Sequence, residues 1–292
     1  MKKPSGGRGR ALVTGASRGI GKAVAKALVE KGWDVIGTCR NPRELAPADR
    51  IPGVSYVPLD LAREASIDSL TRSLTRAAGG VDVLVNNAGE SPLGPAEEIP
   101  IKDLRAYFQV NFFGPARLTQ GFLPGMRARR NGLIVFVGSI RSEVPTPFSS
   151  AYSAAKAAIK SFGECLRLEL MGTGVRVAVA APWYVRTGFP QKLMVKEGSP
   201  YAGALKNVKK VRDEMISKSQ DPDLIARRVL RLVEAKDPPA FTVMGRRFLT
   251  FFIHHAPRRM VAAMSARTTG MRPVQERSFR IERRRDDPGT YA

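Results

Sequence analysis

Residues 10–21 read "RALVTGASRGIG". The stretch begins as an apolar run and passes through a turn of glycine and small polar residues. It continues into "IGKAVAKALVEKG" (20–32), whose apolar spacing is helical and whose closing Gly32 is a stop signal. Gly15, Gly19 and Gly21 occupy the turn and the first helical residues. A glycine triplet alone says little. Between a strand and a helix it permits a tight turn and a close backbone approach to a pyrophosphate, whose charge then meets the helix N-terminus. The competing account is tight helix–strand packing with no ligand.

The same alternation continues outward. Strands are predicted at "WDVIGTC" (33–39), "VSYVPLD" (54–60), "VDVLVNNAG" (81–89), "GLIVFVGS" (132–139), "VRVAVAAP" (175–182) and "AFTVMG" (240–245). Helical spacing covers 65–80 and 222–235. This rhythm implies right-handed βαβ units. Several of the runs are apolar without alternation, as in a sheet covered on both faces. The expectation is an α/β fold with a doubly wound parallel sheet of about seven strands. Residues 1–245 read as one domain, with a polar, lysine-bearing excursion over 186–222 that looks mobile. Residues 246–292 read as a basic, partly apolar extension with a disordered end. No internal repeat is present.

Bulk properties narrow the function classes. The chain has 292 residues, 43% of them hydrophobic, and its two cysteines, Cys39 and Cys165, form neither a disulfide framework nor a metal-ligand cluster. No apolar run has the length of a signal peptide or a membrane span. A soluble, cytoplasmic chain without a metal site is expected. The net charge of +22 attracts anions, whether phosphorylated ligands, nucleic acid or anionic lipid. No basic region interleaved with stacking aromatics supports nucleic acid. The segment 246–264 mixes arginines with apolar residues. It would pack on the domain or on a second subunit, or else lie weakly on a membrane surface.

A second stretch, "SSAYSAAKAAIKSF" (149–162), is strongly helix-forming and sets Tyr152 and Lys156 on one face at i,i+4. Alone, the pair reads as a half-buried phenol and a solvated ammonium. Taken in order, the G-x-x-x-G-x-G turn, "NNAG" (86–89), Asn111 in "VNFFG" (110–114), Ser139 and Tyr152-x-x-x-Lys156 resemble the short-chain dehydrogenase/reductase family over about residues 10–190.

That resemblance implies a Rossmann fold and hydride transfer between a nicotinamide cofactor and a carbonyl or secondary alcohol. A homodimer or homotetramer is implied as well. The phosphate turn maps to Gly15, Ser17, Arg18, Gly19, Ile20 and Gly21. Asp60 and Leu61 map to the adenine wall, and Asn87, Ala88 and Gly89, with the backbone of Asn86, to the wall beside the adenosine ribose. Cys39 stands where NAD-binding members carry Asp, and Arg40 follows it. With Arg18 this looks like an NADP(H) site. Tyr152 matches the general acid/base. A free phenol titrates at about 10, so Lys156 would be needed to stabilise phenolate, and it would also hold the nicotinamide ribose. Ser139 would polarise the substrate oxygen, and Asn111 would order a water in a proton relay.

Pro182, Val185 and Thr187 match the nicotinamide contacts, but Trp183 replaces the family's usual glycine. Val144, Pro145, Pro147, Phe148, Trp183, Phe189 and Leu193 suggest an apolar substrate pocket. The expected protein is an NADP(H)-dependent carbonyl reductase or alcohol dehydrogenase. The alternative is a cofactor-binding sensor or scaffold without turnover.

Overall fold

The computed structural model describes residues 8–78, 80–188, 191–245 and 255–268. Their strands are β1 (Arg10–Val13), β2 (Asp34–Cys39), β3 (Val54–Pro58), β4 (Val83–Asn86), β5 (Ser91–Leu93), β6 (Gly132–Val137), β7 (Val175–Pro182), β8 (Gln191–Leu193) and β9 (Phe241–Met244). The helices are α1 (Gly19–Glu30), α2 (Glu64–Ala78), α3 (Ile101–Phe108), α4 (Gly114–Ala128), α5 (Ser150–Glu169), α6 (Ala202–Ser217), α7 (Pro222–Glu234) and α8 (Arg258–Thr268).

Seven strands form one sheet in the order β3-β2-β1-β4-β6-β7-β9, with every pair parallel. These are the seven strands expected from the sequence. Successive side chains go to opposite faces. Ala11, Val13, Val83 and Val85 meet α1 and α7 through Val24, Leu28, Ile225 and Val229. Leu12, Leu84, Ile134 and Phe136 meet α2, α4 and α5 through Ile67, Leu70, Phe122, Met126 and Ile159. Both faces are therefore dry, which explains the near-continuous apolar strands.

The excursion over 186–222 is a correction to the expected mobile loop. β8 pairs parallel with β5, placing Ser91 opposite Gln191 and Leu93 opposite Leu193. The Met194 N–H donates to Leu93 O at 2.9 Å. The Lys196 N–H donates to the Glu98 carboxylate at 3.0 Å. The Ser199 hydroxyl, first, and that amide hold the Glu98 carboxyl below the usual range. α6 buries Leu205 and Val208. A three-residue strand is too short to show a period, and a helix that buries so narrow a stripe reads as polar chain.

Residues 246–254 and 269–292 lie outside the described residues, and with them most of the apolar positions of the extension and its expected disordered end. Within 255–268, α8 returns to the domain. Val261 is 1% exposed and packs with Ile140, Val144, Trp183 and Val243. The Arg258 guanidinium donates to Glu143 O at 3.2 Å and the Ser265 hydroxyl donates to Pro145 O. Among the described residues no helix is long and apolar enough to cross a membrane.

α5 lies close on the sheet at Gly163. A Cβ there would fall 2.7 Å from Val179 Cγ2 and 3.1 Å from the Phe136 ring. Gly163→Val should lower stability by about 1–3 kcal/mol through overpacking, read as a lower urea midpoint at unchanged m-value.

Candidate active site

The loops that leave the C-terminal ends of β1, β2, β3, β4, β6 and β7 gather around one cleft of about 1160 Å³. The turn after β1 is clamped to the loop after β4. Thr14 is 1% exposed, and its hydroxyl oxygen accepts the N–H groups of Asn87 and Ala88 at 2.9 and 3.0 Å. The Asn87 amide returns a bond to Thr14 O at 2.9 Å. Gly15 has φ +68°, and a Cβ on Gly21 would lie 2.2 Å from Gly15 O. Only glycine lets α1 start beneath this turn.

The α1 N-terminus carries no acidic residue in its first turn and no side-chain cap. Its free backbone N–H groups suit a phosphate. This open cradle is what a dinucleotide needs, and the residues fit one. Gly15, Ser17, Arg18, Gly19 and Ile20 line this end of the cleft, together with Arg40, Asp60, Leu61, Asn87, Ala88 and Gly89. Gly21 lies beneath the turn. Asp60 shapes its own loop, its carboxylate accepting the Ala62 N–H at 3.0 Å. Asn86 points away into the core, where it donates to the Thr119 hydroxyl at 3.1 Å.

Arg18 and Arg40 are exposed, and among the described residues neither is paired with a carboxylate. Burial, opposed in part by Arg50, pushes the Cys39 thiol up, which favours its neutral form. Arg40 follows Cys39 directly, so the strand end itself offers an adenosine ribose positive charge in place of an acid; Glu44, four residues further on, also lines the cleft.

The other end of the cleft holds Ser139, Tyr152, Lys156, Pro182, Val185 and Thr187. Ser139 leaves β6 and caps a short helical turn; its oxygen accepts the Arg141 N–H at 3.2 Å, so its own proton is free to point into the cleft. Tyr152 and Lys156 lie one turn apart on α5. Lys156 is 6% exposed, and its ammonium donates to Val137 O at 2.9 Å and sits 5.7 Å from the centre of the Tyr152 ring. Ala155, between them, is fully buried, so the helix has no side chain thick enough to lift the pair off the sheet.

Asn111 does not line the cleft. It sits behind its wall at 2% exposure, in a π-helical turn over Gln109–Phe113. Its carboxamide donates to Tyr107 O at 3.0 Å and accepts the Glu90 N–H at 3.2 Å. A Cβ on Gly89 would lie 2.7 Å from Asn111 Oδ1 and 3.7 Å from Lys156 Nζ, which shows how closely the three residues meet.

Sequence reasoning missed a polar group in the same cleft. Arg141, Tyr184 and Arg212 line it. The Arg141 guanidinium donates to the Tyr184 hydroxyl and stands 4.9 Å over the Tyr184 ring. Arg212 projects from α6 and donates to the Ser91 hydroxyl at 3.0 Å. Of the residues expected to give an apolar lining, only Trp183 lines the cleft, and Phe189 lies outside the described residues. Val144 is buried under α8 and Trp183, Phe148 turns to the Tyr201 ring, and Leu193 faces outward. The lining is instead Ile140, Trp183 and Ile216 beside the two arginines.

A parallel sheet in this order, a capless phosphate turn and a tyrosine–lysine pair at the mouth define a nucleotide-binding α/β protein. Residues 10–198 match the family model described as short chain dehydrogenase, so the chain belongs to the short-chain dehydrogenase/reductase family. It is 34% identical over 207 residues to dehydrogenase/reductase SDR family member 7B of Rattus norvegicus, covering 67% of this chain; the chain spans 64% of the length of that relative. A short-chain dehydrogenase from Streptomyces avermitilis superposes with a TM-score of 0.77 at 30% identity, covering 89% of this chain and 98% of that one. The closed form of serine dehydrogenase complexed with NADP+ superposes with a TM-score of 0.67 at 27% identity, covering 80% and 94%.

Trp183, where the family usually has glycine, turns its ring toward the C-terminal segment as well as the cleft. It packs against the cluster of Ile140, Val144 and Val261, and a Cβ on Gly245 would strike it. Trp183→Gly should loosen α8. Amide hydrogen exchange within 258–268 should quicken on the order of tenfold, corresponding to about 1.4 kcal/mol of lost local stability.

Proposed function

We propose that the protein is an NADP(H)-dependent oxidoreductase that interconverts a carbonyl compound and its secondary alcohol. The observation that carries this reading is the buried Lys156, fixed on Val137 O and 5.7 Å from the centre of the Tyr152 ring, with Ser139 in the same cleft. A buried ammonium is costly unless something uses its charge. When bound, the nicotinamide supplies or accepts the hydride.

In the reducing direction the Ser139 hydroxyl donates to the substrate oxygen and orients it. Tyr152 gives its proton to that oxygen as the carbon gains hydride, so that C=O becomes CH–OH and the phenol becomes phenolate. Lys156 stabilises the phenolate by charge. The reverse reaction runs through the same groups, Tyr152 removing the hydroxyl proton. Asn111 acts as a positioning residue, since it bonds Tyr107 O and Glu90 N–H on either side of the wall that Gly89 shares with Lys156. Pro182, Val185 and Thr187 shape the floor where the nicotinamide would lie.

Cofactor preference follows from charge at the end of β2. Arg18 and Arg40 offer two guanidiniums to a ribose 2′-phosphate, and Cys39 stands at the strand end where an acid would accept a 2′-hydroxyl. The complex of a structural neighbour with NADP+ supports this choice.

Tyr152→Phe should keep the fold and the affinity for NADPH while kcat falls by about 10²–10⁴-fold. A variant keeping a third or more of wild-type turnover would refute the assignment. Arg40→Asp should weaken NADPH by about ten- to a hundredfold, corresponding to the loss of one charge-assisted bond, and spare NADH. Parallel fluorescence titrations with both cofactors provide the measurement.

A further inference from the structure

Two cations in the cleft have no role in the chemistry above. Arg212 reaches in from α6 and uses one nitrogen on the Ser91 hydroxyl at 3.0 Å, while its Nε is buried and without a partner. Arg141, two residues beyond Ser139, reaches the same space and leans on Tyr184. Two guanidiniums placed together repel each other. Burial, and next the charge of Arg141, push the Arg212 guanidinium below its ordinary value, while Tyr152 is among the groups that act on it in the opposite sense.

The carboxylates nearby offset the pair only in part: the charge of Asp213, which also lines the cleft, pushes the Arg212 guanidinium up, but less than burial and Arg141 push it down. Asp213 is engaged by Lys209, and Glu90 stands beside Tyr107, whose phenol burial and the Glu90 charge push up. Neither acid bonds Arg141 or Arg212. Lys192, on β8, adds a further cation at the rim. Holding an incompletely bonded guanidinium in a half-buried place costs stability, which an anion that accepts its free N–H groups would return.

We propose that Arg212 and Arg141 form an anion subsite beside Tyr152, and that the substrate is a ketone or secondary alcohol bearing a carboxylate or phosphate group close to the reacting carbon. This rests on Tyr152 as the acid/base, and it adds the substrate class. The guanidinium fork of Arg212 takes two anion oxygens, Arg141 supplies the second charge, and the remainder of the substrate lies on Ile140, Trp183 and Ile216. The anion fixes the molecule at one end, so the carbonyl is delivered to Ser139 and Tyr152 in one orientation.

The test compares the NADPH-dependent reduction of 5-oxohexanoate with that of its methyl ester, and of hydroxyacetone phosphate with that of hydroxyacetone. Wild-type kcat/KM should favour the anion over its neutral partner by about tenfold or more in at least one pair. The pair that responds tells carboxylate from phosphate. Arg212→Met should reduce that ratio by about ten- to a hundredfold, and Arg212→Lys should retain part of it. Equal use of anion and neutral ketone by the wild type, or a ratio untouched by Arg212→Met, would overturn the proposal.

A second arm does not depend on turnover. Calorimetric titration of 5-oxohexanoate and of inorganic phosphate into NADPH-loaded Tyr152→Phe protein should show binding that Arg212→Met abolishes. If the wild type reduces none of the four compounds but the calorimetric binding and its loss are seen, the acid/base reading fails and the anion subsite stands. If neither anion binds, the subsite fails whatever the enzyme reduces.

Discussion

Parallel pairing obliges every strand of the main sheet to end at the same edge, and the site follows from that obligation. Hydrogen-bond geometry between β1 and β4 brings the phosphate turn beside the "NNAG" loop, where one Thr14 hydroxyl accepts two backbone N–H groups and locks them together. The pairing of β4 with β6 brings Ser139 next, and α5 crosses behind with its tyrosine and lysine. Each of these groups belongs to a different segment of chain, and none would meet the others without the common edge. The dry faces keep the edge fixed, because helices on both sides leave the strands no freedom to slide.

The +22 charge of the chain is not spread evenly in its effect. Six cations line the cleft: Arg18 and Arg40 at one end, and Lys156, Arg141, Arg212 and Lys192 toward the other. They differ in burial and therefore in the work they can do. Exposed Arg18 and Arg40 are screened by water and suit recognition of a mobile phosphate. Lys156 is shielded and its field acts on one neighbouring oxygen. The Arg141–Arg212 pair is intermediate, half-buried and only partly bonded, so an anion accepting from both would offset burial and mutual repulsion.

Most of the fold was legible because its signals are redundant. The seven sheet strands are mostly apolar runs separated by glycine-bearing turns, and their number and parallel pairing follow once the rhythm is read. The positions expected to serve catalysis and the cofactor came from the motif order, and all of them except Gly21, Asn86 and Asn111 line one cleft. The substrate end was not legible, for physical reasons. β5 and β8 have three residues each, too few for a period. Phe148, Val144 and Leu193 are apolar but serve the Tyr201 contact, α8 packing and the outer surface respectively. Arg212 was hidden among 48 basic residues. A signal was present nevertheless: Leu205, Val208, Arg212 and Ile216 are spaced by three, four and four, so an arginine stands in the apolar stripe of α6.

The small sheet of β5 and β8 has a consequence for the mouth of the cleft. Side chains alternate along a strand, so a slip of the β8 pairing by one residue would exchange the faces on which Gln191, Lys192 and Leu193 stand against the fixed Ser91–Leu93. A slip of two would restore the parity. The charge presented at the mouth of the cleft by Lys192 is thus set by the register of this short pair.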